Sequence, residues 1–224
     1  KVIDFGQNLT GFVEVKLKGQ PGQKITIRHA ETLDKDGNFY PETLRQAVSI
    51  DQFICNGEEQ TFRPHFTFHG FRYIALEGLE DIELGNFTAC VLHTHMEETG
   101  TFTSSNQLVN QLQSNIQWSQ RGNFLDIPTD CPQRDERLGW TGDAQVFAGT
   151  AAYNHNVALF FSKWLHDLAS EQTEEYGVPH IVPNILGNQD GAAAWSDAAV
   201  IIPWVVYETY ADVRILEEQY ESMK

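Results

Sequence analysis

The chain has 224 residues, 41% of them hydrophobic and 21% charged, the balance of a packed globular protein rather than a disordered one. With 31 acidic residues against 15 basic, its net charge of −16 repels polyanions, so a nucleic-acid partner is excluded while a neutral substrate such as a sugar is compatible. Cys55, Cys90 and Cys131 are too few and too scattered for a disulfide framework or a zinc site, and no apolar run is long enough to span a bilayer; no metal, cofactor or membrane partner is expected.

The chain starts at Lys1 with no initiator Met and reads as a piece of something longer, which leaves the compartment open. Residues 1–98 read as β. Strand-like runs at Gly11–Leu17, Lys24–His29, Ile50–Cys55, Phe71–Leu76 and Phe87–His95 alternate apolar and polar residues or carry β-branched and aromatic ones. Turn residues at Gly19–Gly22, Lys35–Asn38 and Asn56-Gly57 separate them. Short strands without crossover helices predict an antiparallel β-sandwich. His93 and His95 share one face of the last run, but no third metal ligand lies nearby, which favours a structural role.

The period changes after Ser104-Ser105, which are placed to cap a helix whose apolar face is Leu108, Val109, Leu112 and Ile116. Val157, Phe160, Phe161, Trp164, Leu165 and Leu168 mark a second amphipathic helix, and Val213, Leu216, Tyr220 and Met223 one near the end. Ala192–Tyr207 is apolar nearly all round, which predicts a helix buried on most sides and kinked at Pro203. All five tryptophans fall in this half. The halves also differ in charge: nine basic residues face 15 acidic ones up to position 98, and six face 16 beyond it. Residues 99–224 thus read as the first part of a layered helical barrel, with about five helices. Uncovered apolar faces on such helices predict exposed patches and a route to a homo-oligomer.

Asn123 to Asp143 stands apart, with five carboxylates, two arginines and two prolines. Pro128 and Pro132 forbid a regular helix, so this is a rigid loop between helices. Thr141 is placed to cap the next helix, with Asp143 in its first turn. Glycoside hydrolysis needs one carboxylic acid to protonate the leaving oxygen and a second carboxylate to activate water or attack the sugar. Asp130, Asp135, Glu136 and Asp143 supply carboxylates, Arg134 a planar donor fork, and Trp140 an apolar face for a sugar ring. Solvated ion pairs on a loop are the competing reading. Acidic surroundings disfavour a thiolate at Cys131. The long connector Thr173–Gly191 offers His180 and Asn188 as rim residues, with a plain surface loop as the simpler alternative.

The run Asp130-Cys-Pro-Gln-Arg-Asp-Glu-Arg-Leu-Gly-Trp-Thr-Gly-Asp143 resembles the signature loop of bacterial α-L-rhamnosidases. Asp4-Phe-Gly-Gln-Asn-Leu-Thr-Gly11 and Phe68-His-Gly-Phe-Arg-Tyr73 resemble segments of that family's β region, and Gly191–Ala199 with Pro203-Trp204 resembles a later helix start of its barrel. The resemblance implies an (α/α)₆ barrel, truncated at both ends here, and inverting removal of terminal α-L-rhamnose from a glycoside or oligosaccharide. It implies Glu136 as general acid, Asp130, Arg134, Trp140 and Asp143 around the rhamnose, and Trp195 as an added aromatic wall. It places the general base later in the barrel, beyond this chain, so the isolated piece is expected to be inactive; Glu217, Glu218 and Glu221 read as a solvated helix face. Another sugar on the same barrel, or a non-catalytic carbohydrate-binding or scaffold protein, are the alternatives.

Overall fold

A computed structural model describes residues 1–175, 177–187 and 191–224; Asn188 lies outside the described residues. The chain divides into two compact units, one of Lys1–His93 with Cys131–Glu136, the other of Thr94–Asp130 with Arg137–Lys224.

In the first unit β1 (Val2–Lys18), β2 (Lys24–Ala30), β5 (Ile50–Ile54), β6 (Glu59–Phe62), β7 (His69–Glu77) and β8 (Phe87–Val91) form one curled antiparallel sheet, and β3 (Thr32–Leu33) pairs with β4 (Phe39–Tyr40). The long β1 organises it. Its start pairs with β7, its middle with β8 and its end with β6. A register shift between Asp4 and Leu9 bends this strand. There Arg72 donates to both oxygens of Asp4 at 2.8 Å, and Asp4 Oδ1 also accepts from Gly6 N at 2.7 Å. The two sequence segments that carry the resemblance in this unit are therefore cross-strand partners. Gly11 is required by close approach, because a Cβ there would stand 1.9 Å from the Cys90 carbonyl oxygen. The apolar face buries Val13, Val15, Ile25, Ile27, Phe71 and Ile74 completely. The strands differ from the expected set: β1 begins nine residues early, β3, β4 and β6 are added, and β8 stops at Val91, before His93 and His95.

The sheet also buries a polar network. His69 Nε2 donates to both oxygens of Asp51 at 3.2 Å, which leaves Nδ1 to accept from the Ser49 hydroxyl at 3.0 Å. His29 Nδ1 donates to the Ser49 carbonyl at 3.1 Å, and its ring stacks on His69 at 4.1 Å. Burial first, and then the His69 ring, pushes His29 from 6.5 down to about 4.

The second unit holds α1 (Gln107–Asn123), the strand pair β9 (Phe124–Leu125) and β10 (Ile127–Pro128), α2 (Thr141–Asn154), α3 (Ala158–Glu171), α4 (Ala198–Tyr210) and α5 (Val213–Met223). Five helices stand where about five were expected. The α3 period is as read: Phe161, Trp164, Leu165 and Leu168 are fully buried, each such side chain contributing about 1.5–3 kcal/mol by leaving water. On α2 the inward face is Ala144, Ala148, Ala151 and Ala152, small enough to admit α4 closely. Among the described residues no helix is long and apolar enough to cross a membrane.

Several local expectations are corrected. Asn106, not Ser104 or Ser105, caps α1 by accepting from Leu108 N at 2.9 Å; the Ser104 hydroxyl accepts from Asn106 N instead. Leu108 and Leu112 are 80% and 56% exposed, so the apolar stripe of α1 points away from the packed core of this unit. α4 starts only at Ala198 and buries one side, Ala198, Ala199, Ile202 and Val206, while Val200, Ile201 and Trp204 are exposed. Pro203 sits inside this helix. On α5 the buried pair is Ile215 and Gln219, a phase rotated from the expected one, with Val213 and Tyr220 exposed. Glu217, Glu218 and Glu221 are exposed, as read.

The base of the carboxylate-rich loop belongs to this helical unit. Thr129 donates to the Asn123 carbonyl from both its N–H and its hydroxyl, at 2.9 and 3.0 Å. Asp130 N donates to the Leu138 carbonyl at 3.2 Å, and Leu138 N returns a bond to Asp130 Oδ1 at 3.1 Å. The loop is thus tied twice at its root, and Asp130 is one of the ties.

Two predictions follow from these contacts. The folded state holds His29 neutral while the unfolded chain protonates it near 6.5, so stability is full above that pH, falls as pH drops from 6.5 to about 4, and levels off below. The loss across this window is about 3 kcal/mol, at about 1.4 kcal/mol per pH unit. Urea unfolding of the whole protein across this range should show it, and His29→Gln should flatten it; an equally steep dependence in the variant would assign the loss elsewhere. Separately, Asp130→Ala should leave the half-buried Leu138 N–H without its acceptor and speed trypsin cleavage after Arg134 or Arg137 several-fold, at about 1 kcal/mol for a part-buried hydrogen bond. Asp130→Asn keeps the acceptor oxygen and should stay resistant; equal cleavage of both variants counts against the tie.

Candidate active site

The helical unit shapes a cavity of about 490 Å³, in the size range of small-ligand sites. Asn123, Thr129, Asp130, Asp143, Phe147 and Trp195 are among its lining residues. Asp143 reaches it because α2 begins where expected, but not for the expected reason. The residue preceding the helix is Trp140, without a side-chain cap, and Thr141 is its first helical residue. The Thr141 hydroxyl donates to the His180 carbonyl at 3.0 Å, and its N–H to the same oxygen at 2.9 Å. Val182 N donates to the Gly139 carbonyl at 2.8 Å, and the Trp164 indole donates to the Val182 carbonyl at 3.2 Å. Residues 139–141 are therefore strapped to residues 180–182 over the core of α3. Ile181 and Val182 are essentially unexposed. The middle of the connector is a core element and not the plain surface loop of the simpler reading. His180, within it, stands edge-on to Trp195 at 5.9 Å.

Trp195 is 37% exposed and lies across the first turn of α2. A Cβ on Gly142 would approach its indole to 2.9–3.0 Å, so the glycine makes room for the ring. The Gln145 side chain donates to the Ala194 carbonyl and holds the backbone just before the tryptophan. Asp143 is exposed and, among the described residues, forms no ion pair. Asp130, Asp143 and Trp195 are thus brought together round one cavity. Trp140 is half-buried and does not line it.

Glu136 and Arg134 belong to the β unit. Gly70 of β7 admits this stretch: a Cβ there would lie 2.8 Å from Gln133 Cβ and 3.0 Å from Pro132 Cγ. Cys131 is buried, Asp135 exposed. Glu136 is one-third exposed at its side chain and paired, with Oε2 accepting from Arg134 Nη2 and from Arg45 Nη1, both at 2.9 Å. A fully exposed, unpaired Glu136 would have suited a scaffold. Two oriented donors on one carboxyl oxygen suit a group with a defined direction. Arg45 carried no signal in the sequence, since nothing in Glu42-Thr-Leu-Arg45 marks an active-site residue and its partner is 91 positions away. Gly142 stands in the signature run, but nothing in the sequence singles it out.

The cluster of His29, Asp51 and His69 brings potential metal-ligating atoms within 4.8 Å of one another. The two imidazole planes are stacked 4.1 Å apart and only 23° from parallel, so both Nε2 lone pairs cannot converge on one ion at a bond length of about 2.0–2.1 Å. We read it as a hydrogen-bonded core.

Comparison with known proteins places both units in one family. Residues 97–224 match the bacterial alpha-L-rhamnosidase 6 hairpin glycosidase domain, and residues 1–93 the bacterial alpha-L-rhamnosidase concanavalin-like domain. An alpha-L-rhamnosidase of Formosa agariphila is 44% identical over 100% of this chain and 24% of its own length. The structure of a Streptomyces avermitilis alpha-L-rhamnosidase complexed with L-rhamnose superposes with a TM-score of 0.96 at 43% identity, over 99% of this chain and 22% of that one. The native rhamnosidase of Aspergillus terreus gives a TM-score of 0.94 at 46% identity, over 99% and 26%. The chain spans about a quarter of the length of these relatives. With its antiparallel sheet, its five helices and its signature loop all matched, the chain belongs to the bacterial α-L-rhamnosidase family.

Proposed function

We propose that the complete protein is an inverting α-L-rhamnosidase and that this chain supplies the acid side of its active site. The observation that carries the reading is Glu136: a carboxyl group inside the family's signature loop, oriented by two guanidiniums on one oxygen. In this reading Glu136 protonates the glycosidic oxygen as the bond to the anomeric carbon breaks. The positive charge that develops on the sugar ring is met by carboxylates, for which Asp130 and Asp143 at the cavity serve. Trp195 offers the apolar face of its indole to the sugar, whereas Arg134 and Trp140, the other residues proposed for the subsite, do not line this cavity. Water attacks from the opposite face, so an α-L-rhamnoside releases β-L-rhamnose first. The base that activates this water stands roughly 6.5–9.5 Å from the acid in an inverting enzyme. The substrate is a glycoside or oligosaccharide with terminal rhamnose.

The complete protein should hydrolyse an alkyl α-L-rhamnoside, with the product anomer read by NMR within the first turnovers. Glu136→Gln should cost about 10²–10⁴ in kcat, the usual weight of a general acid. Asp143→Asn and Trp195→Ala should act mainly on KM, raising it about tenfold or more for about 1.4 kcal/mol of lost contact. Activity on another glycoside but not on rhamnosides would move the specificity, and silence on every sugar would leave a binding role.

A further inference from the structure

Arg45 stands outside every segment that marks the family, yet it holds the same oxygen of Glu136 as Arg134 does. The two arginines are not equivalent. Arg134 is two residues from Glu136 on the same loop, so their pair is local to that loop. Arg45 is 91 residues away, at the end of a 3₁₀ turn (Glu42–Leu44) that is anchored by the buried Leu44. Its bond ties the carboxyl to a distant part of the β unit. Its own backbone is unusual: φ is 55° and ψ −114°, a region that a non-glycine residue occupies only when its surroundings hold it there. Arg45 N–H donates to the Glu42 carbonyl and Ala47 N–H to that of Leu44, so the turn is closed on both sides of the strained residue. Nearby in the same unit, Gly70 lets Pro132 and Gln133 lie against β7. Backbone strain, a glycine cradle and a long-range ion pair all bear on one short stretch of loop.

We infer that Arg45 is a positioning residue for the general acid: it fixes Oε2 of Glu136, so that the proton to be delivered is carried on Oε1 in a set direction. This rests on the acid reading of Glu136. As a mere surface pair, half exposed at the arginine, the contact would matter little to anything. As an orienting contact it governs one step, proton delivery to the leaving group.

That step can be isolated by leaving-group chemistry. An alkyl rhamnoside needs its oxygen protonated, whereas a 2,4-dinitrophenyl rhamnoside departs without help. In the complete enzyme, Arg45→Ala should lower kcat on the alkyl substrate about ten- to a hundredfold, the span of a misplaced catalytic group, and leave the dinitrophenyl substrate within about threefold, with KM little changed on either. Arg45→Lys, which keeps a donor but loses the fork, should recover part of the loss, and added guanidinium should restore turnover to Arg45→Ala. Equal losses on both substrates, or no loss on either, would overturn the inference. Glu136→Gln is measured alongside. If it shows no leaving-group dependence, the acid reading itself fails; if it does and Arg45→Ala does not, only the role of Arg45 fails. Should Arg45→Ala not fold, Arg45→Gln carries the same test.

Discussion

The double tie at the root of the loop is the constraint on which the rest depends. Between Asp130 and Leu138 the chain leaves the helical unit, contributes Cys131–Glu136 to the β unit, and returns. Six residues are too few to fold on their own. Their conformation has to come from their ends and from what they lie against. Asp130 and Leu138 fix the ends by exchanging two hydrogen bonds, Pro132 restricts φ within, and Gly70 removes the side chain that would hold the stretch off the sheet. Glu136 inherits its direction from this arrangement. Asp130 therefore has two claims on it, since Oδ1 is engaged in holding the loop while the residue also lines the cavity. A substitution there mixes a structural effect with a binding one, and only a readout of loop integrity separates them.

The two units solve the problem of polar burial in opposite ways. In the helical unit the polar groups near the site are mostly backbone. Residues 139–141 and 180–182 satisfy one another, and the Trp164 indole reaches the remaining carbonyl while its ring fills the core. Such a strap is insensitive to pH. In the β unit the burial is of side chains, with Ser49 bonding both histidines and Asp51 bonding His69. Burial and the His69 ring disfavour the charged form of His29, so this network is sensitive to acid. A pH dependence of the proposed activity would then have two separable origins, the ionisation of the proposed site groups and the softening of the sheet beside which Glu136 lies.

What was legible in the sequence follows from how local each signal is. The α3 stripe was read correctly because its period is met within one helix, by residues that all enter the core of its own unit. Asp143 was placed in the first turn of α2 on the reading of Thr141 as its cap; the helix start was right although Thr141 is its first residue and not its cap. The face of α1 was legible as a stripe but not as an outward one, since burial depends on what packs against a helix and no residue within it encodes that. The α5 phase failed for a related reason: Gln219 is buried although polar, and Val213 and Tyr220 are exposed although apolar, which inverts the rule used to find a face. The first half of β1 was missed because Gly6 and the register shift interrupt its alternation. The motif loop was found because its composition is improbable for any ordinary connector. Arg45 was invisible for the opposite reason, being an ordinary residue in an ordinary turn.

That contrast bears on where specificity and catalysis are encoded. A motif records residues that act on one another at short range, and it draws attention to the loop that bears the chemistry. It is silent about the residues that hold the loop, because those are scattered and each is individually common. Gly70, Gly142 and Arg45 are of this kind: one makes room for the loop, one for an aromatic wall, and one directs a carboxyl oxygen. The β unit is, on this argument, more than an appendage to a catalytic barrel. It carries the proposed acid, and its sheet, its glycine and its arginine are the groups proposed to set that acid's direction. Exchange of the β unit between related enzymes should thus disturb proton delivery before it disturbs recognition of the sugar, whose proposed wall and carboxylates lie in the helical unit.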